Sequence, residues 1–456
     1  MYCADTIAAV ATAPGSGGIG IVRVSGPSAE RIGSDLFRAA CGGGFDSHRL
    51  YYGRFVSHRS GLLIDEGMAV LMRAPRSYTR EDVLELHCHG GHLVVRTLLQ
   101  ACVDAGARLA EPGEFTRRAF LNGRIDLTQA ESVMDLISSR TEPALALAQR
   151  QREGQLGREL GEIRRLLLEG LAVLEAHLDF PEEDIDPASH AQIQLRTVAA
   201  RERIGRLVAG FEAGRVLREG VAVILVGKPN AGKSSLLNAL TREERAIVSA
   251  VPGTTRDMIE ETVSFNGVPV RIIDAAGIRS HHGDEIEQEG IRRALERLAE
   301  ADLALYLVDG SRALDDDDLA IHAALAERPF ITVVTKADLP QQELPQVSGS
   351  LARVTVSCRN GDGLDRLREQ VFEHFVRDDA PLCDDLAAIS NVRHCDILQR
   401  ALDALDRFST QASCDAPADL LAVDLRDALQ AVGEVTGDTT PDAVLDIIFS
   451  TFCIGK

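Results

Sequence analysis

Apolar residues change rhythm along this chain, and each change marks a change of architecture. At the amino-terminal end, short apolar runs bounded by glycine and proline, TIAAVATAP, GGIGIVRVSG, MAVLMRAP and DVLELHCHGG, predict strands. Residues 1–120 are therefore expected to form a compact α+β domain. From about Leu127 to Arg218 the spacing lengthens. Leu156, Leu160, Ile163, Leu167, Leu171, Leu174 and Leu178 recur at three- and four-residue steps, the stripe of one long amphipathic helix. Helices packing on one another suffice to bury such a stripe. Pro181 and Pro187 bracket the acidic PEEDIDP segment and break the run, after which Ile204, Leu207 and Val208 mark another helix.

Beyond residue 218 continuous apolar runs take over. VAVILV, DLALYLVDG, FITVVTKAD and ARVTVSC read as parallel-type strands alternating with helical stretches such as Leu364, Leu367, Val371 and Phe375. VSFNGVPVRIIDAAG reads as two strands joined at Asn266-Gly267, a pair suited to a tight hairpin. This predicts a doubly wound α/β domain over residues 218–378. A helical rhythm resumes after about Asp379, from ISNVRHCDILQRALDALDRF through LLAVDLRDALQAVGEV. The expected class is thus multidomain α/β and α: an amino-terminal α+β domain, a helical domain split between 121–217 and 379–456, and an α/β domain inserted between its halves.

Composition narrows the function. At roughly 150 residues per domain, 456 residues suggest about three domains, and 45% apolar residues are ample for packed cores. A net charge of -20 argues against a protein whose main work is gripping nucleic acid, so any RNA partner needs local patches or another subunit. Nine scattered cysteines and no basic, hydrophobic leader point to a reducing cytoplasm. No apolar run reaches membrane-spanning length, so no membrane partner is expected. The last four residues, from Cys453 to Lys456, do not make a prenylation box, since Gly455 is not aliphatic.

The strongest chemical signal follows VAVILV. Gly227, Gly232, Lys233 and Ser234 fit G-x-x-x-x-G-K-[ST], a phosphate-binding P-loop. Its glycines let successive backbone N–H groups face a phosphate. Lys233 neutralises the outer phosphates, and the Ser234 hydroxyl suits magnesium. Asp274 and Gly277, at the end of the second hairpin strand, form D-x-x-G; the carboxylate can reach a magnesium-bound water and the Gly277 N–H the terminal phosphate. In Thr335-Lys336-Ala337-Asp338 an ionised Asp338 can accept two hydrogen bonds from guanine N1 and N2, a pair adenine cannot supply, which favours GTP over ATP. Thr335 stands where asparagine is usual, and a hydroxyl offers about 1 kcal/mol less stabilisation than an amide. Ser357-Cys358-Arg359 fits a final base-contacting loop.

Two features of the amino-terminal domain leave alternatives open. Arg23 sits on an otherwise apolar strand, either at a solvated edge or held to grip an anion. His87, Cys88, His89 and His92 suggest a metal site, but on a strand His87 and His89 face opposite to Cys88, which opposes convergence.

Taken together, GKPNAGKS, GTTRD, DAAG, TKAD, the amino-terminal DTIAAVATAPGSGGIGIVRVSG, the segment PGEFTRRAFLNGRIDLTQAE and the terminal FCIGK resemble the MnmE family, also called TrmE, over essentially the whole chain. The resemblance implies a homodimeric, potassium-activated tRNA modification GTPase with a Ras-like P-loop domain and an amino-terminal domain for folate binding and dimerisation. It also implies a flavoprotein partner, MnmG (GidA), which carries FAD and uses NADH, in a heterotetramer or larger complex. The two would install an aminomethyl or carboxymethylaminomethyl group on C5 of the wobble uridine of certain tRNAs, using 5-formyl- or 5,10-methylene-tetrahydrofolate.

Carried over residue by residue, the resemblance assigns GTP contacts to Asn230, Ala231, Gly232, Lys233, Ser234, Ser235, Ser249, Gly253, Thr254, Thr255, Asp274, Gly277, Thr335, Lys336, Asp338, Ser357 and Cys358. Mg2+ falls to Ser234 and Thr255; K+ falls to Asn230, Ser249, Val251 through its carbonyl, and Thr254. Ile278 follows Gly277 where other GTPases place a water-positioning glutamine, and Glu287 is implied to act on water through a bridging water. The folate site is implied at Arg23, Glu85, Arg124 and Lys456, with Arg124 replacing a lysine of relatives, and Cys453 resembles the family's proposed catalytic thiol. A different class, a non-catalytic GTP-timed switch in ribosome or ribonucleoprotein assembly, leaves the amino-terminal blocks and Lys456 unexplained.

Overall fold

The apolar runs at the start of the chain close into one sheet in the computed structural model, which describes residues 5–179, 187–243, 261–274, 301–325, 328–345, 347–376, 388–414 and 416–456. Its strands are β1 (Ile7–Val10), β2 (Gly17–Ser25), β3 (Phe37–Ala39), β4 (Leu50–Val56), β5 (Leu63–Met72), β6 (Val83–Gly90) and β7 (Arg108–Leu109). They lie in the order β3-β4-β5-β6-β2-β1-β7, antiparallel throughout except for β1 with β7. Alternation decides which side is buried. Leu84, Leu86 and Cys88 of β6 point into a core with Val22, Val24, Ile32, Leu36, Leu98 and Cys102, under the helices Ala29–Leu36 and His92–Asp104. Each such fully buried aliphatic side chain contributes roughly 1.5–3 kcal/mol. Glu85, His87 and His89 stand on the opposite face of β6.

That sheet corrects one expectation. Arg23 is not at a solvated edge, because β2 is paired on both sides, with Ala9 of β1 opposite Arg23 on one side and Glu85 of β6 on the other.

The chain forms two compact units, the first made of Met1–Met134, Arg152–Gly157 and Val432–Lys456. In it the helix Asp442–Ser450 buries Leu445 and Phe449, with Phe452 beyond it, against Leu127 and Ala130. Gly113, at φ +65°, lets the carboxyl-terminal turn approach closely; a Cβ there would lie 2.7 Å from the Phe449 carbonyl oxygen and 2.9 Å from Phe452 Cβ. Gly455, at φ +95°, leans on the backbone of Val10 and Ala11 in the same way. The tail thus packs on the end of β1.

The second unit comprises Asp135–Gln151 and Arg158–Ala431. The expected leucine stripe lies on the helix Gln155–Asp179, with Leu160, Ile163, Leu167 and Leu174 buried and Leu178, in its last turn, 39% exposed. A further helix starts at Pro187, where a proline costs no internal hydrogen bond, and runs to Ala209. Then follow Phe211–Glu219 and the α/β sheet: β8 (Val221–Gly227), β9 (Glu261–Phe265), β10 (Val268–Asp274), β11 (Leu303–Asp309), β12 (Phe330–Thr335) and β13 (Arg353–Thr355). The order is β13-β12-β11-β8-β10-β9, with only the β9–β10 hairpin antiparallel. Asn266 and Gly267 take φ of 50° and 91°, the left-handed pair that a two-residue hairpin turn requires. Both faces of the sheet are covered, which is why its central strands read as unbroken apolar runs.

Entry to and exit from this sheet are pinned together. Gly214 sits against the Ile389 carbonyl. Arg218 donates from Nε to Asp135 Oδ1 at 2.7 Å, and Gln151 Nε2 donates to the Ala388 carbonyl at 3.1 Å and to Ser390 Oγ at 3.3 Å.

Candidate functional site

The P-loop grows directly out of β8. Gly227 closes that strand where a Cβ would lie 2.5 Å from the Leu307 carbonyl oxygen of β11. Asn230 (φ +64°) and Gly232 (φ +98°) then turn the chain through left-handed conformations, and the helix Lys233–Glu243 begins at once. This geometry aims the helix's unpaired N–H groups at the loop's mouth, an anion site by construction. Lys233 Nζ donates to the carbonyls of Gly227 (2.6 Å) and Lys228 (2.8 Å), so its charge is already drawn over the loop. Ser234 and Ser235 are exposed on the first turn, and Ala231 is buried beneath.

Across the loop, the segment after β12 is tied to it. Thr335 is 1% exposed and its hydroxyl donates to the Ala231 carbonyl at 2.8 Å and to Val308 O at 3.2 Å. The hydroxyl thus fastens the segment after β12 to the P-loop. Lys336, at φ +61°, stretches its Nζ to Asp309 Oδ2 at 2.5 Å. Burial pushes the Asp309 carboxyl up, but hydrogen bonds from Lys336 and Ser311 outweigh it and leave the group below the usual carboxylate range. Asp338 Oδ1 accepts from the buried Ser357 hydroxyl at 3.1 Å, which holds the carboxylate at the end of the sheet, where nucleotide bases lie in such folds. Cys358 follows, its thiol pushed up first by burial and then by the Asp338 charge.

A second cluster forms in the amino-terminal unit. Arg23 Nε donates to Glu85 Oε1 at 2.9 Å, and its NH1 donates to the Gly455 carbonyl at 3.3 Å, joining residues 432 apart in sequence. The side chains of Arg23 and Glu85 are each 18% exposed. The His87 ring and the Arg23 guanidinium outweigh burial and hold the Glu85 carboxyl below the usual range. His87 Nε2 stands 3.5 Å from Glu85 Oε2, longer than the 2.9 Å contact of Arg23 with Glu85 Oε1. Arg124 donates from NH1 to Ser77 O at 2.5 Å, and its guanidinium lies 5.2 Å from the Tyr78 ring centroid. Lys456, half-buried, ends the tail one residue beyond Gly455.

Cys453 is exposed and lies beyond the last helix. No metal-holding group of histidines, cysteines and carboxylates occurs among the described residues. Burial pushes the Cys88 thiol up to about 11, which keeps it protonated, and His89 is taken by Asp65. Ser249, Val251, Gly253, Thr254, Thr255, Gly277 and Glu287 lie outside the described residues, and of Asp274 only its place at the end of β10, opposite Leu225, is described. Sequence reasoning missed Asp309, Tyr78 and the pairing of Lys228 with Asp315 and Asp318. Asp309 carried a signal, since it ends an apolar strand beside the one that ends in Thr335. Lys228 and Tyr78 carried none.

The same residues have counterparts in known proteins. A family model described as the MnmE helical domain matches residues 127–453, and one described as the GTP-binding protein TrmE N-terminus matches residues 6–124. The tRNA modification GTPase MnmE of Geobacter sulfurreducens is 55% identical over 457 residues, covering 100% of both chains. That of Chloroflexus aurantiacus is 48% identical over 455 residues, covering 99% of this chain and 100% of its own. Identity of this size, sustained end to end, extends over both clusters and the tail that joins Arg23, and the chain belongs to the MnmE family.

Proposed function

We propose that this chain is a GTP-hydrolysing tRNA modification enzyme that, with the flavoprotein MnmG, adds an aminomethyl or carboxymethylaminomethyl group to C5 of wobble uridine. In this reading it works in the cytoplasm as a homodimer, with residues 1–120 binding folate and residues 218–378 binding GTP. The observation that carries it is the full-length match to relatives named as tRNA modification GTPases, joined to a P-loop whose lysine and helix start are preset for phosphate. The acidic net charge of -20 fits a division in which the partner makes much of the tRNA contact.

GTP would lie with its phosphates against the backbone of residues 230–235 and Lys233, and its base against Asp338. Ser234 presents an exposed hydroxyl on the first helical turn, the donor type and place that suit Mg2+, with Thr255 as its second protein ligand. Asn230 offers an exposed amide oxygen for K+ alongside Ser249, Val251 and Thr254. Cations bound there supply positive charge against that developing on the transferred phosphate. Glu287 orients water, and Asp274 with Gly277 reads the terminal phosphate.

In the folate cluster, the Arg23–Glu85 pair offers a donor array beside an acceptor, suited to a ring carbonyl and neighbouring N–H groups. Arg124 and Lys456 suit the glutamate carboxylates of tetrahydrofolate. Cys453, exposed in the same carboxyl-terminal tail, is the candidate nucleophile. Arg23→Ala is expected to weaken 5-formyltetrahydrofolate binding by about tenfold or more, since it removes a charge-assisted contact and leaves Glu85 without its counter-ion. Isothermal calorimetry on the intact protein measures this. Undetectable binding by the unaltered protein would remove the one-carbon role.

A further inference from the structure

Both guanidinium groups of the folate cluster lie over one aromatic ring. The Arg23 guanidinium carbon is 5.7 Å and that of Arg124 5.2 Å from the centroid of Tyr78. Arg23 is also 5.8 Å from the Phe115 ring. The ring is held by packing, with Phe115 and Tyr78 against Ile7 and Ala9, and its hydroxyl lies 2.9 Å from Thr116 Oγ1. Its loop is fastened on either side. Arg124 holds the Ser77 carbonyl, Thr79 Oγ1 is 2.6 Å from Ser25 Oγ, and Asn122 Nδ2 donates to the Thr79 carbonyl at 2.6 Å.

The two cations differ in what answers their charge. Arg23 has the Glu85 carboxylate. Arg124 is exposed and, among the described residues, meets the Ser77 carbonyl and the Tyr78 ring, both neutral. A long guanidinium side chain with no carboxylate to hold it owes its direction to such contacts, and a ring face within about 6 Å attracts a guanidinium without neutralising it. Charge is thereby kept available for an anionic ligand.

We propose that Tyr78 is the positioning residue of this site. Its ring, not its hydroxyl, sets the directions of Arg23 and Arg124 so that both meet one ligand carrying a flat heterocycle and a carboxylate. The inference rests on the folate reading above and adds a residue that the sequence comparison did not assign. Because the ring acts partly through Arg124 and partly through Arg23, the losses on removing Tyr78 and Arg124 together should add only in part.

The test is calorimetry with 5-formyltetrahydrofolate on the full chain and its Tyr78→Phe, Tyr78→Leu, Arg124→Ala and Tyr78→Leu/Arg124→Ala variants. Expected are near-native affinity for Tyr78→Phe, a loss of about fivefold or more for Tyr78→Leu, and a double variant weaker than Arg124→Ala by less than the loss that Tyr78→Leu shows alone. Since the chain has no tryptophan, Tyr78→Trp supplies an independent readout, and its emission is expected to shift on saturation. Native affinity in Tyr78→Leu, equal losses in Tyr78→Phe and Tyr78→Leu, or unchanged emission while the unaltered protein binds would overturn the positioning role alone. Absence of binding by the unaltered protein would overturn the folate reading and this inference with it.

Discussion

Exchanging Asp338 for asparagine is expected to move the protein's preference from GTP to xanthosine triphosphate. The Asp338 carboxylate is positioned by the Ser357 hydroxyl at 3.1 Å and is 21% exposed, free at its second oxygen except for the Arg359 guanidinium 4.0 Å away. Guanine presents N–H donors at N1 and N2 to such an acceptor. An asparagine keeps the oxygen that receives from Ser357 but turns an N–H toward those donors, whereas xanthine offers a carbonyl at C2 that the amide can meet. A mismatched buried polar pair costs roughly 2–4 kcal/mol, so GTP affinity should fall about 30- to 1000-fold. Competition binding of GTP, ATP and xanthosine triphosphate to the two proteins reads this directly. Equal ATP and GTP turnover by the unaltered protein would remove the base assignment.

The cleavage step should respond as strongly to the cation present. No glutamine follows Gly277, where Ile278 stands, so the water-positioning group and the charge-offsetting group must come from elsewhere. Asn230 lies in the loop in a left-handed conformation and is exposed. An arginine in the equivalent role accelerates cleavage by roughly a thousandfold or more. GTP turnover is accordingly expected to be at least about tenfold faster in potassium than in sodium at equal ionic strength. Asn230→Ala should erase that difference, and Glu287→Ala should be slow in both salts with GTP affinity little changed. Equal rates in the two salts would defeat the potassium role, and full activity in Glu287→Ala would return that side chain to solvent.

What was legible in the sequence was what neighbouring residues dictate. The β8 strand, the P-loop and its helix are contiguous, and the Asn266-Gly267 hairpin needs only the two residues that adopt φ of 50° and 91°. The leucine stripe of Gln155–Asp179 is periodic, so its helix was readable to within a residue at either end. The strands β3 and β4 were not, because FRA is only three residues long and Gly53 and Arg54 interrupt the apolar run of LYYGRFV. Arg23 was ambiguous for a different reason. Its meaning depends on which strands flank β2 and on a carbonyl 432 positions away, and no local pattern encodes either. Thr335 has a contact that no local pattern encodes, the Ala231 carbonyl that its hydroxyl holds across the loop.

The most direct test of the central claim is mass spectrometry of wobble uridines in tRNA from cells lacking this protein, with and without complementation. The account predicts loss of the C5 aminomethyl-type groups, restored by the unaltered chain but not by Lys233→Ala. Nucleosides unchanged by removal of the protein would contradict it and favour a GTP-timed assembly switch.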